Sequence, residues 1–122
     1  MSTERGSATV VTAGILAAVL VLALGAADVA RVLVAASRAQ TAADAAALAA
    51  AQSLAFPTEI DPATTASELA ERNGARLRSC ACDPVGLTAL VVVEVPVGAL
   101  LLSADDRVAV AQATAIVDAS MP

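Results

Sequence analysis

Residues 7–27 read SATVVTAGILAAVLVLALGAA, and none of them carries a charge. As an α-helix this stretch is ~31 Å long, which matches the hydrocarbon core of a bilayer. Two readings compete for it. It is either a membrane span that stays in the protein, or a cleaved signal peptide with Arg5 as a thin basic flank and Gly25-Ala26-Ala27 as a small-residue cleavage site. The span is the better reading. The apolar run is longer than a usual signal core, and no helix breaker follows it: DVARVLVAASRAQTAADAAALAAAQSLAF, residues 28–56, continues as helix former. Orientation is weakly encoded, since Glu4 offsets Arg5 while Arg31 and Arg38 lie on the far side. A short N-terminal tail and a Cys-bearing C-terminal part favour a cytoplasmic N-terminus and an extracytoplasmic C-terminal part.

Working outward, a single helix from about Ala8 to Phe56 is predicted, a rod of ~70 Å with half its length in lipid. Pro57 ends it, because the residue before a proline avoids helical backbone. A short helix follows PTEIDP. Asp61 suits its N-cap, Pro62 its first position, and Gly74 the position after the Asn73 cap. The period then changes to two. Residues 75–82, ARLRSCAC, read as a strand, and DPVG at 83–86 as a type I turn. Residues 87–97 form the best strand, with Leu87, Ala89, Val91, Val93, Val95 and Val97 on one face and Thr88 and Glu94 on the other. Pro96 places the end of that strand at an edge or a bulge. GALLLSADD is a loop, and residues 107–117 alternate well enough for a third strand.

The expected fold class is α+β, pilin-like: a long N-terminal transmembrane helix, a short helix and an antiparallel sheet of about three strands. The expected organisation is a leader-like tail over 1–6, a transmembrane segment over 7–27, its extramembrane continuation over 28–56, and a small α+β extracytoplasmic part over 57–122. A unit of about 60 residues has a marginal core. It is expected to lean on the first helix, on a partner, or on both.

Composition narrows the function. The chain has 122 residues, room for one domain, and is 58% hydrophobic with one Phe, no Tyr and no Trp. It has no His and two Cys, which removes the commonest general base and the commonest metal ligand. A formal net charge of -5 argues against a nucleic-acid partner. Ser7, Ser37 and the other hydroxyls have no base beside them, the carboxylates do not gather around a pocket, and GSATVVTAG lacks the Lys of a phosphate loop. No catalytic residue, cofactor site, metal site or small-molecule substrate is expected. Cys80 and Cys82 share one face of a strand. They are two free thiols, a bridge between subunits, or a local bridge. Asp28 and Arg31 are expected to form an exposed helix pair worth a few tenths of a kcal/mol, or to meet lipid headgroups or a neighbouring helix. Asp44 is the one acidic residue of the alanine run. It is expected on a solvated face, or as an intersubunit partner for a residue such as Arg38.

RAQTAADAAALAAAQ, residues 38–52, just beyond an N-terminal span, resembles the TadE/TadG-like family of Flp (tight adherence) pilus assembly proteins, and ERGSATVVTAG at 4–14 is similar to that family's opening. ERNGARLRSC and then LVVVEVPV are similar to the small TadE-like branch encoded beside helicase and secretion genes. The resemblance implies a non-enzymatic minor pilin or pseudopilin in the cell membrane. Its partners would be lipid, other pilin-like subunits and the inner-membrane platform of a secretion ATPase. The alternative is a secreted or membrane-anchored binding or sensor module released after Ala27. The resemblance implies processing between Gly6 and Ser7, although Val11 stands where prepilins of this class carry Glu. The short helix also lacks a Cys that related sequences often have. Helices in lipid associate where small residues let backbones approach, so Gly14, Ala17, Ala18, Ala43, Asp44 and Ala47 are the expected helix-packing contacts.

Overall fold

A computed structural model describes residues 2–118 and 120. Its elements follow in chain order: α1 (Ser2–Ala55), α2 (Pro62–Arg72), β1 (Arg76–Asp83), β2 (Thr88–Pro96) and β3 (Val108–Ile116). The class is α+β, as the sequence predicts.

At 1.5 Å per residue, the 54 residues of α1 make a rod of ~81 Å. Alanine-rich sequence sustains this length because no proline occurs before Pro57 and the three glycines, Gly6, Gly14 and Gly25, stand singly among good helix formers. The two halves of the rod have different surroundings. From 5 to 34, Asp28 alone is buried and the large apolar side chains stand exposed. From Ala35 onward a stripe is sealed: Ala35, Ala39, Ala42, Ala43, Ala46, Ala47, Ala50 and Ala51 are all under 5% exposed. Their spacing of three and four residues is the repeat of one helix face.

That face is covered by α2, β2 and β3. Asp61 occupies the N-cap of α2 with extended backbone, but its side chain makes no capping bond; Pro62 supplies the pre-set first turn. The far end closes as a Schellman motif. Gly74 N–H donates to the Glu71 carbonyl at 3.0 Å and Ala75 N–H to the Ala70 carbonyl at 2.9 Å. Gly74 has φ +75°, the left-handed backbone the motif requires. Ala66 and Ala70 are the buried residues of α2, and Ser53 Oγ donates to Thr65 Oγ1 at 3.2 Å across the helix pair.

The three strands form an antiparallel meander in the order β1-β2-β3. The inner face of β2 is Ala89, Val91, Val93 and Val95, all buried. Leu77, Cys80 and Cys82 flank it from β1, and Ala109, Ala111, Ala113 and Ala115 from β3. The register shifts between Leu77 and Ser79, a bulge in β1. Cys80 and Cys82, with Cα atoms 5.5 Å apart, are joined in a disulfide. On the outer face Glu94 is gripped by two arginines of β1. Arg76 Nε donates to Oε1 at 3.0 Å, and Arg78 Nε stands 3.5 Å from Oε2. β2 is the central strand, but its last residues lie at an edge, as Pro96 predicts. The ladder with β1 reaches only as far as the Arg76–Glu94 pair, where β1 begins, so at Pro96 only β3 lies beside β2.

One packed unit therefore contains the second half of α1 together with α2 and the sheet. Its core holds two large fully buried side chains, Val91 and Val93, set among alanines. Ala43→Leu forces a larger side chain into the fully closed core and is expected to cost ~1–3 kcal/mol. Ala36→Leu, on the exposed side of the same helix, is expected to stay within about 0.5 kcal/mol. Thermal unfolding followed by circular dichroism in detergent checks the pair.

Candidate functional site: the membrane end of the long helix

Above Ala35, nothing among the described residues covers α1 except at one place. Val10, Val11, Ile15, Leu16, Val19 and Leu22 are between 56% and 73% exposed. One helix, Arg5–Ala55, is long and apolar enough to cross a membrane. This fits a single-pass membrane protein.

The exception is the turn of helix that follows the apolar run. The connection from β2 to β3 is closed at its base by Val97 N–H donating to the Arg107 carbonyl at 2.9 Å, and from there it reaches back to α1. Leu101 and Leu102 donate their N–H groups to Asp28 Oδ1 and Oδ2, at 2.7 and 2.8 Å. Arg31 Nη1 donates to the Ala99 carbonyl at 2.8 Å and lies 3.8 Å from Asp28 Oδ1. Two charged residues one helical turn apart thus hold the loop from both kinds of backbone group. Gly25 lies beneath the loop; a Cβ there would stand 3.7 Å from Leu102 Cδ1. Asp28 is 8% exposed, yet both its oxygens are occupied. The Leu101 N–H above all, opposed by burial and helped by the Leu102 N–H and the Arg31 charge, holds its carboxyl below the usual range.

This arrangement corrects the expectation for Asp28 and Arg31. They are neither an isolated exposed pair nor free to meet lipid or a neighbouring helix through the carboxylate, which the chain's own loop occupies. Residues 28 and 101 are 73 apart in sequence. The available signal was a lone carboxylate directly after an apolar run, facing a nine-residue loop whose backbone donors needed acceptors.

The other expected site residues separate into two groups. Gly6 and Ser7 lie exposed in the first turns of α1, and Gly14, Ala17 and Ala18 lie exposed along the apolar half. Helical spacing sets Gly14, Ala17, Val21, Asp28, Ala35 and Ala39 close to one line. The seam sealed by the sheet below Asp28 therefore continues bare above it. Ala43 and Ala47 are packing residues of a different kind from the one expected. At 0% and 1% exposure they are filled by the chain's own elements, leaving no surface for a neighbour. Asp44 is exposed and accepts a hydrogen bond from Gln40 Nε2 at 3.0 Å. Among the described residues, no three His, Cys, Asp or Glu side chains are grouped to hold a metal ion.

Asp28→Asn leaves one acceptor oxygen for two N–H donors. Faster amide exchange at Leu101 and Leu102 and a lower melting temperature are expected. Folding holds Asp28 ionised below its ordinary range, so the unfolded chain takes up the proton first. The clamp is therefore intact above pH ~4 and is lost as pH falls through the lowered value. Exchange at Leu101 and Leu102, measured from neutral to acidic pH, should show this loss in the parent chain and not in Asp28→Asn.

No curated protein and no solved structure matches the chain. Residues 6–53 match the sequence model of the Flp pilus-assembly TadE/G-like family. The match spans the exposed apolar half of α1, the helix residues Asp28 and Arg31 and the alanine stripe, and it stops before α2, the sheet and the loop held by Asp28. Over almost the whole of α1 the sequence of this protein is thus similar to that of TadE/G-like Flp pilus-assembly proteins.

Proposed function

We propose that the protein is a non-enzymatic, TadE-like minor pilin or pseudopilin that takes part in assembling a Flp-type pilus or a related secretion apparatus. The observation that carries this reading is the seam on α1. Below Asp28 its alanines hold the protein's own sheet, while above it Gly14 and Ala17 continue the line with nothing against them. Lipid supplies no hydrophobic drive between helices, so association there depends on close backbone approach at small residues. Gly14, Ala17 and Ala18 offer that approach to the helices of other pilin-like subunits. The N-terminus lies in the cytoplasm, next to the membrane platform that assembles the subunits, and the sheet lies on the far side. Asp44, exposed on the outer side of α1, is left for contacts between subunits that stand beyond the membrane.

The main alternative, a binding module secreted after cleavage at Ala27, would remove Gly25 from beneath Leu102 and leave Asp28 as the first residue of the mature chain. Mass analysis of the protein extracted from membranes separates the readings. A start at Ser7 supports pilin processing and a start at Met1 an unprocessed membrane subunit, whereas a start at Asp28 supports secretion. Packing is tested by Gly14→Leu combined with Ala17→Leu. Both residues are exposed in the isolated chain, so thermal unfolding of the sheet is expected to be unchanged. Recovery of other pilin-like subunits on co-purification should fall several-fold, and unchanged recovery would contradict the seam as a subunit contact.

A further inference from the structure

The loop between β2 and β3 carries Leu100, Leu101 and Leu102 in succession, and Leu101 and Leu102 are 52% and 57% exposed. Single exposed leucines are ordinary; contiguous ones are not. These two adjoin the helix where the apolar run ends. Gly25, Val29, Val32 and Leu33 of α1 share one surface depression with Leu100 and Leu102, and Val29 and Leu33 are themselves exposed. The apolar surface of the span therefore does not stop at Asp28 but widens there onto the loop.

The backbone of the loop supplies the second observation. Irregular chain entering a poorly hydrated zone must bring its N–H and C=O groups already bonded. Here Asp28 takes the N–H groups of both Leu101 and Leu102, and Arg31 serves the carbonyl of Ala99. A leucine loop meant for water would have solvent for these bonds. Ser103 and Arg107 border the same depression and give it a polar rim.

We infer that Leu101 and Leu102 insert into the headgroup–acyl boundary of the leaflet that α1 leaves at Asp28, as a second membrane contact. The occupant is lipid because the leucines are continuous with the span itself. One helix alone lets the sheet swing and turn about the membrane normal. A second apolar contact fixes the depth of α1 and the direction its bare seam faces. The inference rests on residues 7–27 being a span, and the test separates the two.

The chain has no Trp and no Tyr, so one introduced tryptophan reports on its own site. Leu101→Trp, Leu102→Trp, Val19→Trp in the span and Val85→Trp at the other end of β2 are placed singly in the full chain. Each is reconstituted at low density in phosphatidylcholine–phosphatidylglycerol vesicles. Val85 is 92% exposed and lies in the turn beyond the far end of β2, a strand ~27 Å long. Leu101→Trp and Leu102→Trp should emit to the blue and lose most of their intensity to lipid brominated near the headgroup end of its chains. Val19→Trp should be quenched by lipid brominated near the chain end, and Val85→Trp by neither. Unquenched emission from both loop positions with Val19→Trp quenched overturns the insertion and leaves the span standing, with water or a protein partner against the loop. Unquenched Val19→Trp overturns the span, and the insertion with it. Quenching of Val85→Trp as well overturns a contact specific to the leucines. Thermal unfolding like that of the parent chain shows that each variant is folded.

Discussion

Alanine facing alanine is the contact on which the structure depends. The stripe from Ala35 to Ala51 lies against a sheet whose inner face is itself alanine in β3 and valine in β2. Each such side chain removes little area from water, so the stabilisation per residue is small. What small residues provide is distance: a helix backbone can lie close over a sheet, and many weak dispersion contacts replace a few large anchors. The arrangement tolerates little added volume, since interiors are filled to crystal-like density. It also explains why a chain without Trp or Tyr builds a closed core, and why the sheet, with its short helix, needs α1 to complete it.

Continuity of α1 follows from the same composition. A helix rich in alanine passes from one environment to the other without a change in backbone, so the element that anchors the molecule is also the spine of its core. The transition is marked by Asp28, where the chain folds its own β2–β3 loop back onto the helix. A carboxylate in this place would be costly without partners; two backbone N–H groups and a neighbouring guanidinium supply them. The clamp ties the sheet to the helix at the membrane end, as α2 does at the other.

Much of this was legible in the sequence, for reasons specific to each element. The uncharged run at 7–27 and the uninterrupted helix formers after it determine α1. Pro62 and Gly74 determine α2 through backbone preferences that hold in any context. Val91, Val93 and Val95 alternate with a period that admits one face to the core. Two things were not legible. The alanine stripe showed that a packing surface existed but not which surface would cover it, and Ala43 and Ala47 were covered by the chain's own elements. The partner of Asp28 lay 73 residues away, in a loop without periodicity.

The membrane half of α1, its bare seam and the leucine loop have meaning only if the helix is one rigid member from lipid to core. The most direct measurement is a distance between nitroxides at Leu16 and Leu48, both exposed and on opposite sides of the Asp28 junction, taken by pulsed electron resonance on the protein in lipid nanodiscs. An unbroken α1 requires one narrow distribution centred near ~48 Å. A broad or much shorter distribution would mean a hinge between the two halves, and the continuous helix would have to be abandoned.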